Sequence, residues 1–164
     1  MSFIRYGFDL FLAKIRYMFS KACQYGIRAV IYICGESQKG NKVGAKQISE
    51  KTGVPEPFIA KILQDLARKK IIGSTKGPTG GFFVDGSHQE LTLKQLVDAI
   101  DGEELFTGCS LGLENCSEAN PCPLHGEIKQ IRLSIVRMLT QKSIKEFAEE
   151  VEKGETVLSR MIQT

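Results

Sequence analysis

The chain has little histidine, no long apolar run and almost no net charge. Its two histidines, His88 and His125, lie far apart in sequence. Neither belongs to a Ser/His/Asp pattern, so nucleophilic catalysis of that type is not expected. No stretch approaches the roughly 20 apolar residues of a membrane-spanning helix. The formal charge is only +3, so any basic surface has to be local. The first residues carry charge throughout and lack a small-residue cleavage pattern, which points away from secretion. The cysteine count of five is odd. Together these features point to the reducing cytoplasm, where clustered cysteines are metal-binding or redox-active more often than structurally bridged.

Three of those cysteines and one histidine share a single stretch, "GCSLGLENCSEANPCPLHG", residues 108–126. Three thiolates and an imidazole suit an iron–sulfur cluster, and zinc accepts the same set. A disulfide or an oxidant-sensing thiol would draw on the same residues. Ligand softness alone does not choose between the metals. Structural zinc sites usually carry a C-x2-C knuckle, and this loop has none. Gly108, Gly112, Pro121 and Pro123 let the chain wrap a ligand. Cys23 and Cys34 are eleven residues apart, close to one face of a helix, and read as small buried apolar residues. His88 sits in the polar turn "DGSHQE" and is given no role.

The elements around this loop follow from period and punctuation. "MFSKACQYGIRAVIYICG" (18–35) places Ala22, Tyr25, Ala29 and Ile33 at helical spacing, with Ser20 as cap and Gly35 as stop. "VGAKQISEKTGV" is a short helix broken by Gly53. "PEPFIAKILQDLARKKII" is a second, with Pro55 and Pro57 in its opening turn and Ile59, Ile62, Leu63 and Leu66 as its core stripe. Two helices across a tight Gly turn make a helix-turn-helix. Ile71 and Ile72 then start a strand, "KGPTGG" turns, and Phe82–Val84 return as a hairpin. "LTLKQLVDAIDG" is a helix capped by Thr92 and ended by Gly102. "LHGEIKQIRLSIVRMLTQK" is a long helix whose Ile128, Ile131, Ile135 and Met138 form a heptad-like apolar seam. "SIKEFAEEVEKG" opens with the capping box Ser143/Glu146 and ends in an acidic, solvated tail.

The expected fold is mainly α with a small β-hairpin: a winged helix-turn-helix domain plus a long dimerisation helix. The expected units are an N-terminal extension (1–17), the DNA-binding domain (18–102), the Cys-rich loop (103–126), and the dimerisation helix with the C-terminal helices (127–164). The extension "MSFIRYGFDLFLAKIRY" is aromatic-rich and amphipathic. It reads as an extra packing helix, or as sequence ahead of a true start at Met18. Its polar face is sparse in Lys and Arg for a membrane-surface helix.

Charge concentrates where this fold would meet DNA. Between Lys42 and Lys76 there are eight basic and three acidic residues, a surplus of five. Basic residues there suit phosphate contacts, which supply affinity and set register. The recognition helix is expected over Pro57–Lys69. Glu56, Pro57, Ala60 and Lys61 face base edges in such a motif. Lys76 at the wing tip reaches the minor groove, and Lys46 and Thr79 complete the candidate contacts with double-stranded DNA. "KGPTGG" is not read as a phosphate-binding loop, because no helix follows it.

In their order, "FSKACQYGIRAVIYI", "QISEKTGVPEPFIAKILQDLARKKII", "STKGPTGGFF" and "LTLKQLVDAIDG" resemble a bacterial winged-helix transcription regulator family, the one containing IscR, NsrR and CymR. The resemblance covers Met18 to about Glu150 and is nearest to the IscR-type iron–sulfur members. It implies a homodimeric regulator on a pseudo-palindromic operator, with the long helix as dimer contact. It implies three cluster ligands, here Cys109, Cys116 and Cys122, and a histidine three residues after the last, here His125, in the pattern C-x6-C-x5-C-x2-H. With His125 as fourth ligand, a 2Fe–2S cluster is implied. A clusterless thiol-based or zinc-stabilised regulator is the alternative. The chain departs from the pattern in places. The first cysteine gap is one residue longer. Ala60 stands where many members have Glu, which implies a different operator. Lys76 replaces a common Arg, keeping the charge but losing the planar fork. Gln24 stands where the nitric-oxide sensor has an acidic ligand.

Overall fold

Ser20 starts the fold. In a computed structural model describing residues 18–88 and 90–158, its Oγ accepts the Cys23 N–H at 3.0 Å. That bond satisfies one orphan donor of the first helix, α1 (Lys21–Gln38). The expected stop at Gly35 is not a stop. Gly35 is buried within α1, and a Cβ placed on it would lie 3.9 Å from the Ala148 Cβ of a later helix. A Cβ there would make only an ordinary van der Waals contact, so the helix runs through Gly35, and the chain turns only at Gly40, with φ +82°.

The helix-turn-helix follows as expected. α2 (Ala45–Thr52) ends at Gly53, whose φ of +66° is the left-handed cap a glycine allows. α3 (Glu56–Arg68) has Pro57 in its first turn. Ile59, Leu63 and Leu66 are buried beneath it, and Ile62 is half-buried.

The wing is shorter than the sequence suggests. β1 (Gly73–Thr75) and β2 (Gly81–Phe83) pair antiparallel, with Ser74 opposite Phe82. Ile71 and Ile72 lie in the bend before β1, not in it, and Val84 follows β2. The Lys70 backbone turns left-handed at φ +59° and the Ile71 N–H donates to the Leu66 carbonyl at 3.0 Å, so this stretch closes α3 before the ladder begins, while the Ile72 side chain, 2% exposed, enters the core. At the tip the Gly80 N–H donates to the Gly77 carbonyl at 2.9 Å. A Cβ on Gly80 would stand 2.4 Å from the Thr75 carbonyl oxygen, so the turn needs glycine there. Phe82 and Val43 exchange backbone hydrogen bonds at 2.9 and 3.1 Å, fastening the wing to the segment before α2.

α4 (Leu93–Asp101) begins at a complete capping box, Thr92 with Gln95. A one-turn helix that periodicity did not reveal, α5 (Glu104–Thr107), leads into the Cys loop. α6 (His125–Thr140) leaves it. α7 (Ile144–Glu152) starts at the Ser143/Glu146 capping box and packs back on α1, burying Ile144 and Ala148.

Two apolar clusters hold these parts together. The larger joins α1, α2, α3, α4 and α7 through Ile33, Ile48, Ile59, Leu63, Leu96 and Ile144. The smaller joins α1, α4 and α6 through Cys23, Val97 and Leu139. Each such aliphatic side chain contributes about 1.5–3 kcal/mol by leaving water. Cys23 and Cys34 are 0% and 4% exposed, behaving as small apolar residues. Among the described residues no helix is long and apolar enough to cross a membrane. The readings of residues 1–17 fall outside the described residues.

Candidate metal centre and nucleic-acid interface

The Cys loop is a run of turns that each present one thiol. The Gly112 N–H donates to the Cys109 carbonyl at 3.0 Å. Gly112 and Asn115 have φ of +67° and +59°, reversing the chain before Cys116. Ser117 and Asn120 exchange backbone bonds at 3.2 and 3.1 Å, which returns the chain to Cys122. The His125 N–H then donates to the Cys122 carbonyl at 3.0 Å and opens α6. The result is convergent. The Sγ atoms of Cys109, Cys116 and Cys122 all lie within 4.8 Å of one another. Cys109 and Cys122 are 3.8 Å apart, and Cys116 Sγ is 3.3 Å from His125 Nδ1.

All five cysteines are free thiols, and the three in the loop are half-buried. They face a cavity of about 210 Å³ whose other walls include Phe106, Ile128, Leu133 and Val136. Two thiolates on one tetrahedral ion, with bonds of about 2.3 Å, stand about 3.8 Å apart. The Cys109–Cys122 separation matches that edge. Three soft donors within 4.8 Å of one another, partly shielded by apolar side chains, therefore fit a metal ion or cluster, and His125 stands at the edge of the set, against Cys116.

The field around the thiols is uneven. The backbone N–H groups of Leu113 and Leu111 stabilise the Cys109 thiolate and pull its pKa down to about 7. The Cys122 N–H favours the Cys116 thiolate too, yet burial and the neighbouring thiols of Cys122 and Cys109 push Cys116 up. One cysteine is thus ready to be a thiolate, and its crowded neighbour resists.

Several residues that sequence reasoning missed hold the site. Arg132 Nη2 donates to the Gly108 carbonyl and lies 3.4 Å from Ser110 Oγ, tying both flanks of Cys109 to α6. Glu118 approaches His125 Nε2 at 3.4 Å and Lys129 Nζ at 2.5 Å. Lys129, then His125, hold its carboxyl below the usual carboxylate range. No local sequence pattern marks Glu118.

The expected DNA-facing residues lie on the helix-turn-helix and the wing. Lys46 is exposed on α2, and Glu56, Pro57 and Lys61 are exposed on α3, with Ala60 half-buried between them. Lys76 and Thr79 are exposed at the wing tip. The eight basic residues are not equivalent. Arg68 pairs with Asp65 at 3.0 Å, and the Lys69 ammonium donates to the Ala99 carbonyl on α4. Lys42 stands 5.0 Å over the Phe83 ring of the wing. Phe58 is 63% exposed beside Lys61, an apolar surface the charge count did not suggest.

Along α6 the expected seam divides. Ile128, Ile131 and Ile135 line a groove between α5 and α6. Ile135 also packs on the smaller core, whereas Ile131 and Met138 are 54% and 49% exposed. Leu133, 52% exposed, adds to the uncovered apolar surface.

Fold and sequence together define a class: a winged-helix transcriptional regulator, not an enzyme. Residues 19–150 match the Rrf2 family, described as an iron-dependent transcriptional regulator, and the chain belongs to that family. It is 26% identical over 145 residues to a protein of Aquifex aeolicus (strain VF5) named for the same class, HTH-type transcriptional regulator, covering 87% of this chain and 99% of that one. It is 24% identical over 123 residues to the HTH-type transcriptional regulator IscR of Photorhabdus laumondii, covering 75% and 74%. Among solved structures its fold is similar to CymR, the global cysteine regulator of B. subtilis, with a TM-score of 0.65 at 18% identity, covering 80% of this chain and 95% of that one. It is also similar to T. potens IscR, with a TM-score of 0.63 at 15% identity, covering 88% and 95%.

Proposed function

We propose that this chain is a homodimeric transcriptional regulator that binds a pseudo-palindromic operator in the bacterial cytoplasm and is controlled by an iron–sulfur cluster, of the 2Fe–2S type. The observation that carries the cluster is the convergence of Cys109, Cys116 and Cys122 within 4.8 Å, with His125 against Cys116. When bound, such a cluster supplies reversible one-electron chemistry, at a potential that an imidazole ligand raises.

The chain's own residues give the loop a route to the DNA-reading surface. Cys109 is tied through Gly108 to Arg132 of α6, and the same loop follows α4 by way of α5. α4 holds the end of α3 through Lys69 and Ala99. A change in loop order thereby acts on the position of the reading helix, and a dimer converts that shift into a change of half-site spacing. The exposed Ile131, Leu133 and Met138 supply the surface for a second copy. Glu56, Pro57, Ala60 and Lys61 sit where base edges are read, Lys76 at the wing tip reaches the minor groove, and Lys46 and Thr79 complete the contacts with DNA.

The compactness of the three thiols supports a second reading, a single zinc ion in the same four-ligand set. An absorption spectrum of anaerobically purified protein, with iron and sulfide counts, separates them. About two iron and two sulfide per chain are expected for the cluster. A colourless protein holding zinc that cannot be reconstituted with iron overturns it and leaves the DNA-binding reading intact. Cys109→Ala is expected to alter operator affinity, and equal affinity for the cluster-loaded and cysteine-deleted proteins refutes the switch.

A further inference from the structure

A histidine can bind a metal through either ring nitrogen, and the nitrogen used is fixed by what the other one does. In this chain both nitrogens have neighbours. Nδ1 faces Cys116 Sγ at 3.3 Å, and Nε2 faces Glu118 Oε1 at 3.4 Å. The same carboxylate oxygen is held by Lys129 Nζ at 2.5 Å, one turn along α6 from His125. The backbone constrains the ring as well. His125 follows Cys122 by three residues, and the bond from its N–H to the Cys122 carbonyl closes a tight turn. That tether keeps the imidazole's near nitrogen, not its far one, against the Cys116 thiol.

We propose that His125 binds the metal centre through Nδ1, and that Glu118, braced by Lys129, is the positioning residue that accepts the Nε2–H and so selects the tautomer with Nδ1 free to ligate. The proposal rests on the four-ligand reading above and holds for a cluster or a single ion. Glu118 touches neither metal nor thiol. It acts through His125, as outer carboxylates do for other metal-bound histidines. The expected consequence is a ring already oriented before metal arrives, in the protonation form that ligation requires.

The test begins without metal. In the thiol-reduced, metal-free protein labelled with 15N-histidine, nitrogen shifts report the tautomer. His88→Gln removes the other histidine's signal. The Nε2–H tautomer of His125 is expected to dominate. Glu118→Ala is expected to shift the population toward Nδ1–H, and Glu118→Gln, which keeps an acceptor oxygen, to restore it. Co2+ binding gives a second readout: affinity is expected to fall about 10–100-fold in Glu118→Ala and to stay near wild type in Glu118→Gln. A dominant Nδ1–H tautomer in the wild type, or a population indifferent to Glu118→Ala, overturns the proposal. His125→Ala separates the two levels. If that variant binds Co2+ with unchanged affinity and spectrum, the four-ligand reading falls and takes the proposal with it. If it loses affinity while the tautomer ignores Glu118, the proposal alone falls.

Discussion

Ser20 and Asp101 tie the start of α1 to the end of α4. The Ser20 N–H donates to Asp101 Oδ2 at 2.9 Å and its hydroxyl donates to Oδ1, while the same Oγ accepts the Cys23 N–H. One serine is thus both the cap of its own helix and the ligand of a carboxylate 81 residues away in sequence. The segment just after Asp101 leads to the Cys loop, so this contact fixes where the loop departs.

Removing either partner should loosen the same joint. Ser20→Ala is expected to cost about 1 kcal/mol as a lost cap. Asp101→Ala should cost about 1–2 kcal/mol, because hydrogen bonds to a charged group are stronger than neutral ones. The two losses share one interaction, so the double variant should be less destabilised than the sum of the singles. Urea unfolding of the four proteins measures the cycle, and strict additivity would show that the two residues do not communicate.

Asp101 also sets a pH dependence through Cys23. Burial, then the charge and hydrogen bond of Asp101, push the Cys23 thiol up to about 12. The unfolded chain loses that proton near the ordinary thiol value, about 8.5. Between these values the native state holds a proton that the unfolded state has released. Stability from this group is therefore complete below about pH 8.5 and falls as pH rises toward 12, by up to about 1.4 kcal/mol per pH unit. Urea midpoints of the wild type and Cys23→Ala compared at pH 8 and 10.5 test this. The variant is expected to lose less stability over that interval, and parallel losses would contradict the assignment.

The two neighbours Met138 and Leu139 should separate folding from assembly. Leu139 is 1% exposed in the smaller core, and Met138 is 49% exposed on the outer side of α6. Leu139→Ala is expected to cost about 2–5 kcal/mol, as for other buried truncations. Met138→Ala should change the stability of the folded chain by less than about 0.5 kcal/mol while weakening self-association. Sedimentation equilibrium beside urea unfolding reads both quantities. A Met138 variant with unaltered self-association would remove this face from the proposed dimer contact.

What was legible in the sequence was mostly local. Ser20, Thr92 and Ser143 announce helix starts because capping needs only residues within one turn, and all three cap as expected. Gly53 announces a turn because its left-handed conformation is a property of one residue. Gly35 misled for the opposite reason. It lies buried inside α1, whose packing against later helices such as α7 the local sequence does not show. Ile71 and Ile72 have strand propensity, yet the Ile71 N–H is taken by the Leu66 carbonyl at the end of α3. In the loop, Cys109, Cys116 and Cys122 converge within 4.8 Å, while His125 reaches Cys116 at 3.3 Å and stands outside that three-thiol group. Glu118 and Arg132 were invisible there, since a carboxylate or guanidinium on a polar surface gains meaning only from the atoms it reaches across space.

The same distinction between charge and contact governs the DNA-facing surface. Lys61 and Lys76 are exposed cations on the reading helix and wing tip. If each neutralises a phosphate, Lys61→Ala and Lys76→Ala should each reduce the slope of log affinity against log salt by about 1. Lys69 belongs to the same basic run, but its ammonium is engaged by the Ala99 carbonyl. Lys69→Ala should therefore leave the salt slope near wild type, and any loss of affinity should appear equally at all salt concentrations, because what changes is the seating of α3 on α4. Fluorescence anisotropy with an operator duplex across 50–200 mM salt distinguishes the two behaviours. Equal slope changes for all three lysines would mean that Lys69 leaves Ala99 to meet the phosphate, and the link between α4 and the reading helix would then have to be carried by the apolar contacts of Leu66 and Ile100 instead.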